Sequence, residues 1–350
     1  MAQAFDSDRL AATGQPLAVA EHVGRSSAFQ AAFSASSSGV LAYAGPMLRP
    51  GRLNWYDRAG KLLGSEGVPG EYTDFRLSGD GKRLAVSLVD PQTADPDIWF
   101  NDLARGGSQR QTFGPFFNAN VMWSPDGREI AFRALPKGVT EVVRKSAAGS
   151  GDAQIALSAD MQRAVGMQVP SVIASDWSPD GGSLVVSATT ASSDFDLWLL
   201  PLEGDRKPVK FVQAPGDQFH GNFSPDGRLV AYTSSESGRF EVNVRTVVRS
   251  DRQWQVSTTG GYEPRWRGDG GEIYYLSEDQ KLMAVSVGLG PTFGVPRALF
   301  QTKVSPGVNN YRTHYVASHD GQKFLLNTLT GDHSPMPITV VLNWTAGLKK

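Results

Sequence analysis

Short apolar runs alternating with polar residues recur along this chain and carry the period of two expected of half-buried β-strands. One set comprises Arg83 Leu84 Ala85 Val86 Ser87, Glu129 Ile130 Ala131 Phe132, Leu229 Val230 Ala231 Tyr232 and Glu272 Ile273 Tyr274 Tyr275. A second set comes about ten to fifteen residues later, in Asp97 Ile98 Trp99 Phe100, Asp196 Leu197 Trp198 Leu199, Glu241 Val242 Asn243 Val244 and Leu282 Met283 Ala284 Val285. A third set closes most units, as in Gln109 to Phe113 and Trp254 to Ser257.

A repeated turn precedes the first set. Trp123 to Gly127, Trp177 to Gly181 and Phe223 to Gly227 read aromatic-Ser-Pro-Asp-Gly; Leu77 to Gly81, Trp266 to Gly270, Ala317 to Gly321 and Ala35 to Gly39 are looser copies. Pro presets φ for the turn, Asp bonds nearby amides, and Gly takes the left-handed position, so each copy is a hairpin turn and Asp80, Gly81, Asp126, Gly127, Asp180, Gly181, Asp226, Gly227, Asp269, Gly270, Asp320 and Gly321 are structural. The turns lie at 36–39, 78–81, 124–127, 178–181, 224–227, 267–270 and 318–321, about 45 residues apart. Four short antiparallel strands at that period describe a propeller blade, which cannot bury both faces alone. The expected fold is all-β: one seven-bladed β-propeller domain spanning 1–350, or six blades if the degenerate first unit is not one. The last unit lacks an outer strand after Ile338 to Trp344, and residues 1–23 carry no turn motif, so Leu17 to Val23 is expected to close that blade. Met1 to Phe5 would then duplicate a strand, as in a chain cut from a longer parent. The widest spacing, 127 to 181, marks an insertion near Ser158 to Ser171, expected as a loop.

Composition agrees with this reading and narrows the function. Gly 38 and Pro 21 are too frequent for long helices, while 8 Trp, 17 Phe and 9 Tyr exclude a disordered chain. A formal charge of -1 gives no field to hold nucleic acid. The absence of Cys excludes disulfides, thiolate nucleophiles and Cys-ligated metal. No signal peptide or membrane-spanning run is present, so the chain does not insert into a membrane by itself, and a monomer is expected.

Catalytic motifs are missing. No Ser has the flanking glycines of a nucleophile elbow, no His-Arg-Asp or Asp-Phe-Gly occurs, and no metal-binding His-Glu helix spacing exists; no cofactor is expected. The pairs Asp95/Asp97 and Asp194/Asp196 precede the third strand in two units and read as turn formers. Trp123, Trp177, Phe223 and Trp266 occupy one repeat position and read as blade core. The informative column lies seven residues before each marker Gly: Asp74, Asn120, Ala174, His220, Glu263 and His314, with Ala32 in the first unit. In a closed ring these positions gather at one mouth of the channel, where Asp74, Asn120, His220, Glu263 and His314 are candidates to bind a ligand or a partner's side chain. The plainer alternative is that polar residues are simply tolerated at a wet mouth.

At the aromatic-Ser-Pro-Asp-Gly turns the sequence resembles the TolB-like propeller repeats, from about residue 33 to 344. It is most similar to the C-terminal propellers of bacterial receptor-like serine/threonine kinases, through Gly204 Asp205 Arg206 Lys207 Pro208, Tyr262 to Arg267, Pro337 to Thr345 and the opening Phe5 to Leu10. The resemblance implies a non-catalytic module, extracytoplasmic and tethered to a kinase, that senses a ligand or binds a protein. The alternative is a propeller enzyme, a lyase or hydrolase, with His220 or His314 as base and Asp74 or Glu263 orienting it.

Overall fold

A computed structural model of the chain describes residues 1–20, 23, 32–44, 50–93, 95–113, 117–149, 152–168, 172–190, 194–248, 252–330 and 338–348. It is all-β apart from short helical segments, and it divides into two compact units rather than the single domain expected: Pro50–Thr330, and Met1–Arg49 with Gly331–Lys350.

Within Pro50–Thr330 each hairpin turn delivers the strand the alternation predicts. In the first, Gly81 at φ +67° donates its amide to the Ser78 carbonyl at 2.8 Å, while Asp80 Oδ1 accepts from the Ser78 hydroxyl at 2.6 Å and the Lys82 amide at 3.1 Å. The same bonds recur at Asp126, Asp180, Asp226 and Asp320, with Gly127, Gly181, Gly227 and Gly321 all at positive φ. In the copy Trp266 to Gly270, Gly270 takes the positive φ and Asp269 is gripped by Arg267 in place of a Ser. The Ser hydroxyl first, then the backbone amide, hold Asp80, Asp126, Asp180 and Asp320 below the ordinary carboxylate range.

Six antiparallel sheets result, each with a four-strand path from axis to edge. Blade one contains Tyr72–Leu77, Arg83–Val89, Pro96–Asp102 and Ser108–Arg110; blade two Phe117–Trp123, Glu129–Leu135, Glu141–Ser146 and Gln154–Leu157. Blade three contains Val172–Trp177, Ser183–Thr189, Phe195–Pro201 and Val209–Val212; blade four Gln218–Phe223, Leu229–Ser234, Glu241–Thr246 and Gln253–Gln255. Blade five contains Tyr262–Trp266, Glu272–Leu276, Lys281–Gly288 and Arg297–Gln301, with Thr292–Phe293 as an extra edge. Blade six joins Tyr315–Ala317 and Lys323–Leu329 to Gly51–Asp57 and Leu62–Gly70. Each innermost strand neighbours the next, and that of blade six neighbours that of blade one, so the six close a ring. The cores lie between blades: Leu84, Val86, Ile98, Ile130, Leu184, Val230 and Ile273 are almost fully buried, each stabilising the fold by about 1.5–3 kcal/mol. Trp123, Trp177, Phe223 and Trp266 are buried as expected.

The closure differs from the expectation. Gly51–Asp57 pairs with Lys323–Leu329 over its whole length, from Asp57 opposite Lys323 to Gly51 opposite Leu329. The outer strands of motif unit one therefore complete the inner strands of unit seven, and seven turn motifs give six four-stranded blades. Ala11–Leu17 does not close that blade; it pairs with Ala2–Asp6 in a two-stranded sheet of the other unit. Residues 21–22 of the expected closing strand lie outside the described residues. The first-unit hairpin Phe33–Ala35 and Val40–Ala44 takes Ile338–Leu342 as its third strand, also in that other unit. The expected insertion loop forms a helix, Ala159–Ala164, capped by the Ser158 hydroxyl on the Met161 amide at 3.3 Å; residues 169–171 lie outside the described residues.

Candidate functional site

The column residues sit at the end of the ring where the innermost strands begin, here termed the entry rim. The innermost strands of blades two, four and five lose register against their partners at Ala119/Met122, Phe219/Asn222 and Tyr262/Arg265. Each irregularity holds a column residue in the left-handed region: Asn120 at φ 55°, His220 at 55° and Glu263 at 57°. Non-glycine residues there carry about 1–3 kcal/mol of strain and persist only where the surroundings hold them. The same unusual geometry at one place in three blades is a property of the rim, not an accident of one loop.

The six column positions within Pro50–Thr330 are buried, with exposures of 0 to 6 %, rather than open at a wet mouth, while Ala32 is exposed. Glu263 is tied at every polar atom. Its amide donates to Thr233 Oγ1 at 3.0 Å, its carbonyl accepts from the Tyr315 hydroxyl at 2.9 Å, and its carboxylate accepts from His314 Nδ1 at 2.8 Å and the His314 amide at 3.1 Å. A carboxylate only accepts, so His314 carries its proton on Nδ1 in this pair. Arg265 Nη2 reaches Glu263 Oε1 at 3.2 Å. Burial pushes the Glu263 carboxyl up, but the His314 bond and charge and the nearby Arg265 outweigh it, holding it down at about 2. His220 is lowered to about 3, chiefly by burial, so its imidazole is neutral.

Asp74 faces a second knot. It accepts from Arg76 Nη1 at 2.9 Å, from its neighbour's amide, Phe75 N, at 2.8 Å, and from the Thr313 hydroxyl of the adjoining blade. Arg76 also donates to Thr313 Oγ1 at 2.6 Å. Burial raises Asp74 despite the Arg76 charge, and burial followed by repulsion from Arg265 lowers Arg76. Asp176, raised by burial, accepts from Asn222 Nδ2 at 2.7 Å and Phe223 N at 2.8 Å, and Asn222 in turn accepts from the Trp266 amide at 3.2 Å. Hydrogen bonds thus stitch blade three to four, four to five, five to six and six to one.

The column brings together Asp74, His220, Glu263 and His314 as the repeat offset predicts, with Asn120 at the equivalent place in blade two. It misses Arg76, Asp176, Asn222 and Arg265, which lie two residues further along the same strands; strand alternation puts positions two apart on one face and marks them. Among the buried side-chain atoms with no partner in the described residues are Arg265 Nε, a donor, and Asn120 Oδ1, an acceptor. No group of three or more His, Cys, Asp or Glu among the described residues is placed to hold a metal. Of the two carboxylate pairs, Asp97 is structural: it accepts from Arg110, from the Thr112 hydroxyl at 2.7 Å and from Asn118 at 3.5 Å, anchoring an outer strand. No described helix is long and apolar enough to cross a membrane.

No protein-family model and no curated protein matches the chain. Solved structures do. A protein assigned as TolB from Agrobacterium tumefaciens superposes with a TM-score of 0.64 at 17% identity, covering 81% of this chain and 99% of that one. TolB from Acinetobacter baumannii gives 0.52 at 14% identity, covering 85% and 79%. An oligogalacturonate lyase in complex with manganese gives 0.50 at 14% identity, covering 90% and 81%. At these identities the likeness establishes the fold, a TolB-like β-propeller, which binding proteins and enzymes share.

Proposed function

We propose that the chain is a non-catalytic interaction or ligand-sensing module that engages its partner through the entry rim, as the extracytoplasmic part of a larger receptor-like serine/threonine kinase. The observation that carries this is the ring of strained, buried polar residues at one rim, with Asn120, His220 and Glu263 held left-handed at matching places. Strain that the fold sustains three times over at converging polar groups is the mark of a site. The opposite end of the ring, built from the hairpin turns, has its Ser and Asp groups spent on the turns themselves.

Capture by the immobilised propeller tests the rim. Asp74→Asn should lose the captured protein while Asp226→Asn, at the turn end, keeps it, with both variants melting near the wild type; equal capture by both would remove the rim from the account. The tether is tested by immunoblot of native cells: a membrane-bound band far above 37.7 kDa supports it, and a soluble band at that size defeats it.

The Glu263–His314 pair favours a second reading, because a carboxylate fixing Nδ1 is how a general base is oriented. Oligogalacturonate is a reasonable first probe; cleavage that His314→Ala abolishes would support an enzyme, and no cleavage by the intact chain would dismiss this substrate.

A further inference from the structure

The segment 305–313 has only to lead from the edge of blade five to the axis of blade six, and it contains no strand or helix. Its residues nevertheless reach blades one to four. The Asn309 carbonyl meets His220 Nε2 of blade four at 3.2 Å, and Asn310 Nδ2 meets the Ser187 hydroxyl of blade three at 3.3 Å. The Tyr311 ring lies 5.3 Å from the buried Arg133 guanidinium of blade two and edge-on to Phe195 of blade three at 6.4 Å. Arg312 pairs with Glu71, just before blade one, and the Thr313 amide donates to the Thr73 carbonyl at 3.0 Å.

Three of these attachments fall on the rim or beside it: His220 is a column residue, Thr313 bonds Asp74, and Ser187 pairs with Ile173, the neighbour of the column residue Ala174. Asn309 to Arg312 are half-buried and hold on by a few polar and ring contacts, while Thr313 is buried. Upstream, Pro306 and Gly307 are exposed, and Gly307, at φ 91° with open space around it, is a natural pivot. The column beneath is buried although it holds an unpartnered amide oxygen in Asn120, and Arg265 beside it has an unpartnered guanidinium nitrogen.

We infer that Asn309–Thr313 is a strap that closes the entry rim, and that it must lift from Arg133, Ser187 and Glu71 before any ligand or partner group reaches Asp74, Glu263 and His314. The inference rests on the rim being the binding surface, but its test needs no ligand, so failure of the strap and failure of the rim are told apart by thiol labelling here and by capture above.

The chain has no cysteine, so Ser187→Cys places a single thiol against Asn310 of the strap, at a position 0 % exposed. Reaction with a maleimide should quicken at least tenfold when Tyr311→Ala and Arg312→Ala are added. Ala231→Cys, fully buried in the core of blade four, reports loosening of the whole ring and should be unmoved by the same pair. Equal rates for Ser187→Cys with and without the strap substitutions, or equal acceleration of both thiols, would overturn the inference. Hydrogen exchange on the unsubstituted chain guards against a misfolded variant: the amides of Asn310–Arg312 should exchange at least tenfold faster than those of Tyr315–Ala317, and equal protection would overturn it as well.

Discussion

Two glutamates in blade five are held by arginines, and they differ in what surrounds them. Glu272, at the start of the second strand, accepts from Arg58 at 2.9 and 3.0 Å, Arg267 at 3.0 Å, Arg297 at 2.8 Å and the Tyr274 hydroxyl at 2.8 Å. Its backbone is not among those in the left-handed region, and Arg58 also donates to the Gly321 carbonyl at 2.9 Å. That guanidinium ties the turn between the two outer strands of blade six to the hairpin turn of its inner strands and to blade five. Glu263, nine residues away and likewise held down at about 2, sits on left-handed backbone beside an arginine whose Nε is unmet. Burial opposes both charges, and donors overcome it in both. The equal acidity therefore distinguishes nothing; strain and unmet polarity do. The Glu272 cluster locks the ring shut, and the Glu263 cluster is kept at a cost to the fold.

The largest effect expected from this contrast is on stability. Glu272→Ala leaves three guanidinium groups facing a vacated carboxylate and should cost about 3 kcal/mol in urea unfolding, with capture by the folded fraction unchanged. Glu263→Gln should cost less, about 1–2 kcal/mol, and lose capture; the opposite ordering would erase the distinction. Acid should expose the rim next. His220 binds a proton at about 3 in the fold and near 6.5 when unfolded, so its contribution is complete above pH 6.5 and drains away as pH falls toward 3, by up to about 1.4 kcal/mol per pH unit. The glutamates keep their full contribution above about 4.5 and lose it only below, so between pH 6.5 and 4.5 a His220→Gln variant should show a flatter stability profile than wild type; parallel profiles would deny that His220 is buried and neutral. Arg58→Lys keeps the charge but not the two-pronged bond to Glu272, and about 1 kcal/mol should go. Smallest is Asn120→Gly, which relieves left-handed strain and should raise stability by about 0.5 kcal/mol while weakening capture. A loss of stability there would mean that Asn120 serves the fold.

The hairpin turns were legible residue by residue because their chemistry is local: Ser, Asp and Gly bond within five residues. Ring closure was not. Leu53 to Asp57 reads as the third strand following Val40 to Tyr43, and alternation cannot say that its partner is Lys323–Leu329, some 270 residues on; either pairing buries the same face. The rim was legible in part. A fixed offset from the turn found Asp74, Asn120, His220, Glu263 and His314, since every blade starts its inner strand at the same place. Their burial, the bulges that turn three of them left-handed, and the strap drawn across them depend on side chains from other blades, which no repeat offset encodes. Tyr311 and Arg312 carry no motif at all.

The most direct test of the rim as the binding surface is site-specific photo-crosslinking in native cells, with the photoreactive residue at Tyr311 or, as the counterpart, at Asp226 on the turn end. The account predicts a discrete heavier adduct from Tyr311 and none from Asp226. An adduct from Asp226 with none from Tyr311 would contradict it and move the binding surface to the other end of the ring.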